Sequence, residues 1–106
     1  MIEDSEVEKA LDYLRESSDS CAKRRAERIY LEEFTGSLKA QIMSEHLAET
    51  LGAQERYAKT DIRFRNHLEA LKVAIYEDER GRFLREAAGA KIEAWRTQQA
   101  NARGGI

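Results

Sequence analysis

The sequence predicts an all-α protein: a long antiparallel helical hairpin of coiled-coil character, with a short helical connector, that assembles as an oligomer. Three observations lead there. The 106 residues include no proline and six glycines, so few positions can interrupt a helix. Apolar residues recur at alternating spacings of three and four, the helical period, through most of the chain. A composition 36% charged and 42% hydrophobic suits long amphipathic helices with solvated outer faces.

The first helix is expected over about residues 5–50. Ser5 and Glu8 fit a capping box, and the acidic first turn suits the helix dipole. Leu51-Gly52 offers the left-handed residue that commonly closes a helix. Ser17-Ser18-Asp19-Ser20 is a weak stretch, because these side chains compete for backbone hydrogen bonds, and a break there is the alternative to one continuous helix. Residues 51–60 form the connector, with a short helical turn over Ala53–Ala58 and Thr60 as the next N-cap. The second helix follows over about 61–101, and 102–106 is expected to be a flexible tail. At about 1.5 Å per residue each helix would reach about 60 Å, and the connector lets the two lie antiparallel as a single domain over 1–106.

Each helix carries two apolar seams. In helix one, Tyr30, Leu31, Phe34, Leu38 and Ile42 share one face, while Ala22, Ala26, Ile29, Gly36, Ala40, Met43 and Leu47 recur on nearly the opposite one, with Glu33 as the exception. In helix two, Phe64, Leu68, Leu71 and Ile75 make one stripe; Val73, Tyr76, Phe83, Leu84, Ala87, Ile92 and Trp95 lie on the other flank. A two-helix hairpin buries one seam per helix. The second pair therefore calls for another partner, most simply a second copy, and the seam from Ala22 to Leu47 is the expected oligomer interface.

Several function classes are excluded by what the chain lacks. Cys21 stands alone, so no intramolecular disulfide, zinc ribbon or redox pair can form, which suits a reducing cytoplasm. No run approaches the roughly 18 apolar residues of a membrane span, and the start Met1-Ile2-Glu3-Asp4-Ser5-Glu6 is acidic where a signal peptide is basic. His46 and His67 fall in different helices outside any HExxH spacing and are expected to be exposed. Cys21 lies near Lys23, Arg24 and Arg25 but has no His partner, and it reads as a small apolar-face residue. Glu32-Glu33 and Glu77-Asp78-Glu79 place neighbouring carboxylates about 100° apart, which solvates a helix rather than chelating a cation. No glycine-rich phosphate loop is present. The expectation is a cytoplasmic, non-enzymatic protein with no cofactor, metal, membrane or small-molecule substrate.

Charge distribution says more than the net charge of −2. The first 20 residues hold seven acids and two bases, leaving the rest of the chain basic. Three clusters stand out there: Lys23, Arg24, Arg25 and Arg28; Arg56, Lys59, Arg63 and Arg65 about the connector; and Arg80, Arg82 and Arg85. In an antiparallel hairpin the first and third would lie at similar heights. At the connector, Tyr57 and Phe64 are interleaved with the cations, so guanidinium and ammonium groups can hold phosphates while aromatic faces stack on unpaired bases. The competing reading is an ordinary solvated surface of alternating Arg and Glu, as at Glu27/Arg28 and Arg85/Glu86, with an overall pI near 5.8.

Ala53-Gln54-Glu55-Arg56-Tyr57-Ala58, His67-Leu68-Glu69-Ala70-Leu71, Ile92-Glu93-Ala94-Trp95-Arg96-Thr97-Gln98 and Tyr30-Leu31-Glu32-Glu33-Phe34 together carry a resemblance over nearly the whole chain. It resembles small helical proteins encoded by phages and prophages of proteobacteria, most without an assigned function. In architecture it is more distantly similar to the UvsY-type recombination mediators of phages. That resemblance implies a homo-oligomer that binds single-stranded DNA and helps load a recombinase. It would make Arg56, Lys59, Arg63 and Arg65 the phosphate contacts and the apolar seams the assembly surfaces. The acidic first 20 residues have no counterpart role in gripping DNA.

Overall fold

The computed structural model describes residues 1–104, and it is all-α. Four helices follow one another: α1 (Asp4–Glu16), α2 (Ser18–Ser44), α3 (Leu51–Thr60) and α4 (Ile62–Gly104). Among the described residues no strand occurs and no helix is long and apolar enough to cross a membrane. The chain packs as two units. One comprises Met1–Lys23 with α4 from Glu79 onward, the other Arg24–Asp78.

Helix boundaries differ from the sequence expectation in ways that local chemistry explains. The expected helix over 5–50 is two helices, parted at Ser17, and α2 ends at Ser44 before a run of turns. At the break, Ser17 N–H donates to Tyr13 O and its own carbonyl accepts from Cys21 N–H, so helical bonding nearly passes through. The Ser18 hydroxyl, however, donates to the Leu14 carbonyl at 2.8 Å, and the Ser20 hydroxyl to the Ser17 carbonyl at 3.1 Å. These are the competing side-chain bonds that weaken a serine-rich stretch. The N-terminal cap is Glu3 rather than Ser5: its N–H donates to the Glu6 carboxylate at 2.8 Å. Gly52 closes nothing; it lies in the first turn of α3, capped by Thr50, whose hydroxyl accepts from Ala53 N–H at 3.2 Å. Among the described residues none has a positive φ. Asp61 replaces Thr60 as the cap of α4, its carboxylate accepting from Arg63 N–H at 2.8 Å. Residues 102–104, expected in a flexible tail, continue α4, and 105–106 lie outside the described residues.

In the first unit α1 lies antiparallel to the C-terminal half of α4. Val7 and Ala10 are buried against it. Polar pairs fix the register: Ile2 N–H to Gln98 Oε1 at 3.1 Å, Trp95 Nε1–H to Asp4 Oδ1 at 3.0 Å, and the Arg85 guanidinium to Leu14 O at 2.8 Å and Ser17 Oγ at 2.7 Å. Arg85 therefore occupies a C-terminal carbonyl of α1 and the residue at the break, a cation where the helix dipole is negative.

In the second unit α2 runs antiparallel to the first half of α4, with α3 packed across one end. Leu38, Ile42 and Ala58 form the buried cluster, and Phe34, Met43 and Phe64 pack on it. Ile42 is fully enclosed, at 0% exposure. His67, expected on the surface, is buried instead: its Nε2 lies 2.8 Å from the Thr35 hydroxyl and its ring meets Phe34 edge-on. A ring nitrogen so enclosed is tolerated because the hydroxyl satisfies it. Arg28 reaches across to Asp78 at 3.1 Å and along its own helix to Glu32 at 3.7 Å.

Candidate nucleic-acid interface

The basic residues singled out from the sequence fall into two groups, those committed to internal partners and those left to solvent. Arg63 is the most committed. From the first turn of α4 its guanidinium donates two hydrogen bonds to the Glu45 carboxylate, at 2.9 and 2.7 Å, and two more to Asp61, both at 3.0 Å. Both carboxyls are held below their ordinary range, chiefly by these bonds, and the guanidinium is held more firmly protonated by Glu45 first and Asp61 second. One cation shared by two carboxylates leaves no net positive charge to offer a phosphate. Sequence proximity hid this, since Glu45 stands 18 residues away and is brought in only by the fold.

This triad predicts a pH dependence. Each carboxyl titrates lower in the folded chain than in the unfolded one, so its contribution is complete at neutral pH and disappears as pH falls through the folded-state values, below about pH 4. In Arg63→Gln the acid side of the pH–stability profile is expected to flatten, as followed by thermal unfolding between roughly pH 6 and 3. An acid limb identical to that of the parent chain contradicts this assignment.

The connector's aromatic residues are also engaged. Tyr57 stacks on His46 with ring centroids 4.1 Å apart and planes 6° from parallel, and Phe64 packs on the Leu38–Ile42–Ala58 cluster. Phe64 is thus withdrawn from the expected alternation of cations and rings, whereas Tyr57, stacked on His46, remains 46% exposed. Lys23 forms an exposed pair with Asp19 at 3.0 Å, of a kind that contributes little. In the third cluster Arg82 is paired with Glu79 and Glu86, and Arg85 is the clasp on α1.

Five residues remain from the expected set. Arg56 and Lys59 on α3 and Arg65 on α4 are exposed, and among the described residues no hydrogen bond or ion pair engages their side chains. Arg24, half-buried, and Arg25, exposed, are likewise unpaired on α2. Arg56, Lys59 and Arg65 belong to one unit and flank the α3–α4 junction. Among the described residues no group of three or more His, Cys, Asp or Glu is arranged to hold a metal ion.

The expected oligomer seam lies mostly in solvent. Ala22, Ala26, Ile29, Gly36, Ala40 and Leu47 are exposed, and nothing in the chain lies within 4 Å of a side chain built at Gly36. Met43 is the exception, half-buried against the Leu38–Ile42 cluster, because α2's inner face is wide enough to include it.

Fold and surface define the class as an all-α helical-hairpin protein. No family model, characterised protein or solved structure matches the chain.

Proposed function

We propose that the chain is a non-enzymatic accessory protein of phage DNA recombination or replication, which holds single-stranded DNA as a homo-oligomer in the cytoplasm and assists a recombinase. The observation that carries this reading is the trio Arg56, Lys59 and Arg65: exposed, unpaired cations on a short helix and the helix that follows it, beside an Arg63 whose charge is already neutralised. Phosphate binding of this kind depends on releasing condensed counterions, so it needs cations that are not already paired. The resemblance to phage helical proteins supports the same assignment.

The test is binding of a labelled oligothymidine strand across salt concentrations. With three phosphate contacts per chain, affinity is expected to fall about twentyfold between roughly 50 and 200 mM salt. Arg56→Glu/Lys59→Glu is expected to abolish binding, while Arg63→Gln changes it little. Absence of binding at low salt rejects the DNA-holding role.

A second reading is favoured by the apolar surface the fold leaves in water. Val73 is 56% exposed, Tyr76 63% and Phe83 57%. A helical module that binds or inhibits a host or phage protein would use such a face, and it would be indifferent to Arg56→Glu/Lys59→Glu.

A further inference from the structure

We propose that Tyr57, backed by His46, is the platform on which the protein stacks an unpaired base, and that this pair, rather than the cations, makes the surface select single strands. This deepens the strand-binding reading above, on which it rests, by naming what the site recognises besides phosphate.

Cations alone hold any polyanion, whether its bases are paired inside a duplex or free. Discrimination requires a flat aromatic face that an unpaired base can cover and a paired one cannot. Tyr57 offers such a face. Its ring lies 4.1 Å from that of His46, with the planes 6° apart, yet the residue is 46% exposed. With one face covered by the imidazole, an exposure of that size leaves the other face open to solvent. His46 is itself fixed in the turn between α2 and α3, half-buried, its N–H donating to Met43 O at 3.0 Å and its carbonyl accepting from Glu49 N–H at 2.9 Å. The tyrosine has therefore given up side-chain freedom before any ligand arrives, and an incoming base does not have to order it.

The neighbours of Tyr57 suit the phosphates that a base brings with it. Arg56 precedes it on α3 and Lys59 follows, both exposed and unpaired. The Arg56 guanidinium lies back over the first turn of the helix, 3.9 Å from where a side chain at Gly52 would begin. Glu45 and Asp61, the carboxylates that interact with His46, are both taken up by Arg63. The other exposed tyrosines lack this setting. Tyr30 meets Phe34 only at 6.0 Å and stands just before Glu32-Glu33, and Tyr76 leads directly into Glu77-Asp78-Glu79, where a polyanion is repelled.

The test compares, at low salt, the affinity of the full chain for a labelled oligothymidine with that for an abasic strand carrying the same number of phosphates. The parent chain is expected to bind oligothymidine about tenfold more tightly, the contribution of one stacked base. Tyr57→Ala should bring oligothymidine down to the abasic value and leave the abasic affinity and its salt dependence as they were, since Arg56, Lys59 and Arg65 remain. Tyr57→Phe should keep the preference. His46→Ala should lose most of it, again without change on the abasic strand, and His46→Phe, which restores a ring behind Tyr57, should recover it. Equal affinity of the parent chain for the two strands overturns the inference and leaves the phosphate-holding role in place. So does a Tyr57→Ala variant that keeps the preference or weakens both strands alike. A preference undiminished in His46→Ala overturns the positioning role of that residue. Absence of binding to either strand overturns the strand-binding reading itself, and the platform with it.

Discussion

Ile42→Ala is expected to remove about 2–5 kcal/mol of folding stability, a large share of the 5–15 kcal/mol typical of a whole domain. Among the described residues Ile42 is the one large side chain with no exposure, enclosed by Leu38 and Ala58 and covered by Phe34, Met43 and Phe64. Its truncation leaves a cavity between α2, α3 and α4 that rigid helices cannot readily close, so the lost transfer energy and the lost packing add. Ile29→Ala is the internal comparison, because Ile29 lies on the same helix but faces solvent at 42% exposure. That change is expected to cost within about 0.5 kcal/mol in the monomer. Urea denaturation followed by circular dichroism measures both. Equal losses at the two positions would mean that the cluster about Ile42 is not what holds the second unit together.

The second large effect is expected at Arg85. Arg85→Met retains much of the apolar stem and deletes the donors to Leu14 O and Ser17 Oγ, for a loss of about 2 kcal/mol. The effect should be local. Arg85 occupies a carbonyl at the C-terminal end of α1 and the side chain at the break, and without it the serine-rich segment is held by the helix's own weakened bonds. Hydrogen exchange is therefore expected to accelerate at amides 14–21 more than around the Thr35–His67 contact, which belongs to the other unit. Arg85→Lys should recover part of the protection, since an ammonium can reach one acceptor but does not span both as the guanidinium fork does. Uniform acceleration across both units would show that Arg85 contributes to global stability without a special role at the break.

Much of the fold was legible because helices report themselves through spacing. The absence of proline, the inner stripe of Phe34, Leu38 and Ile42, and the opposed stripe through Ile29, Gly36 and Ala40 are all periodic signals that the structure realises as buried and exposed faces. The serine run at 17–20 carried the correct warning of a break, because the competing hydroxyl bonds are local chemistry. His67 went astray for the opposite reason. A histidine on a helix is polar by composition, and only the arrival of the Thr35 hydroxyl from another helix makes its burial acceptable.

The candidate site was less legible than the fold. Arg56, Lys59, Arg63 and Arg65 are indistinguishable as letters, yet the fold removes Arg63 from the set and leaves the other three in solvent. Tyr57 and Phe64 look equally available in sequence, but Tyr57, stacked on His46, stays exposed while Phe64 fills the core's edge. By itself the sequence determined that this chain is helical, where its helices weaken and which of their faces are apolar, because backbone bonding and side-chain period are set within a few residues. Only the tertiary structure decided which cations are neutralised and which polar groups are buried, because Coulomb attraction and desolvation depend on neighbours that packing brings from 18 to 96 residues away.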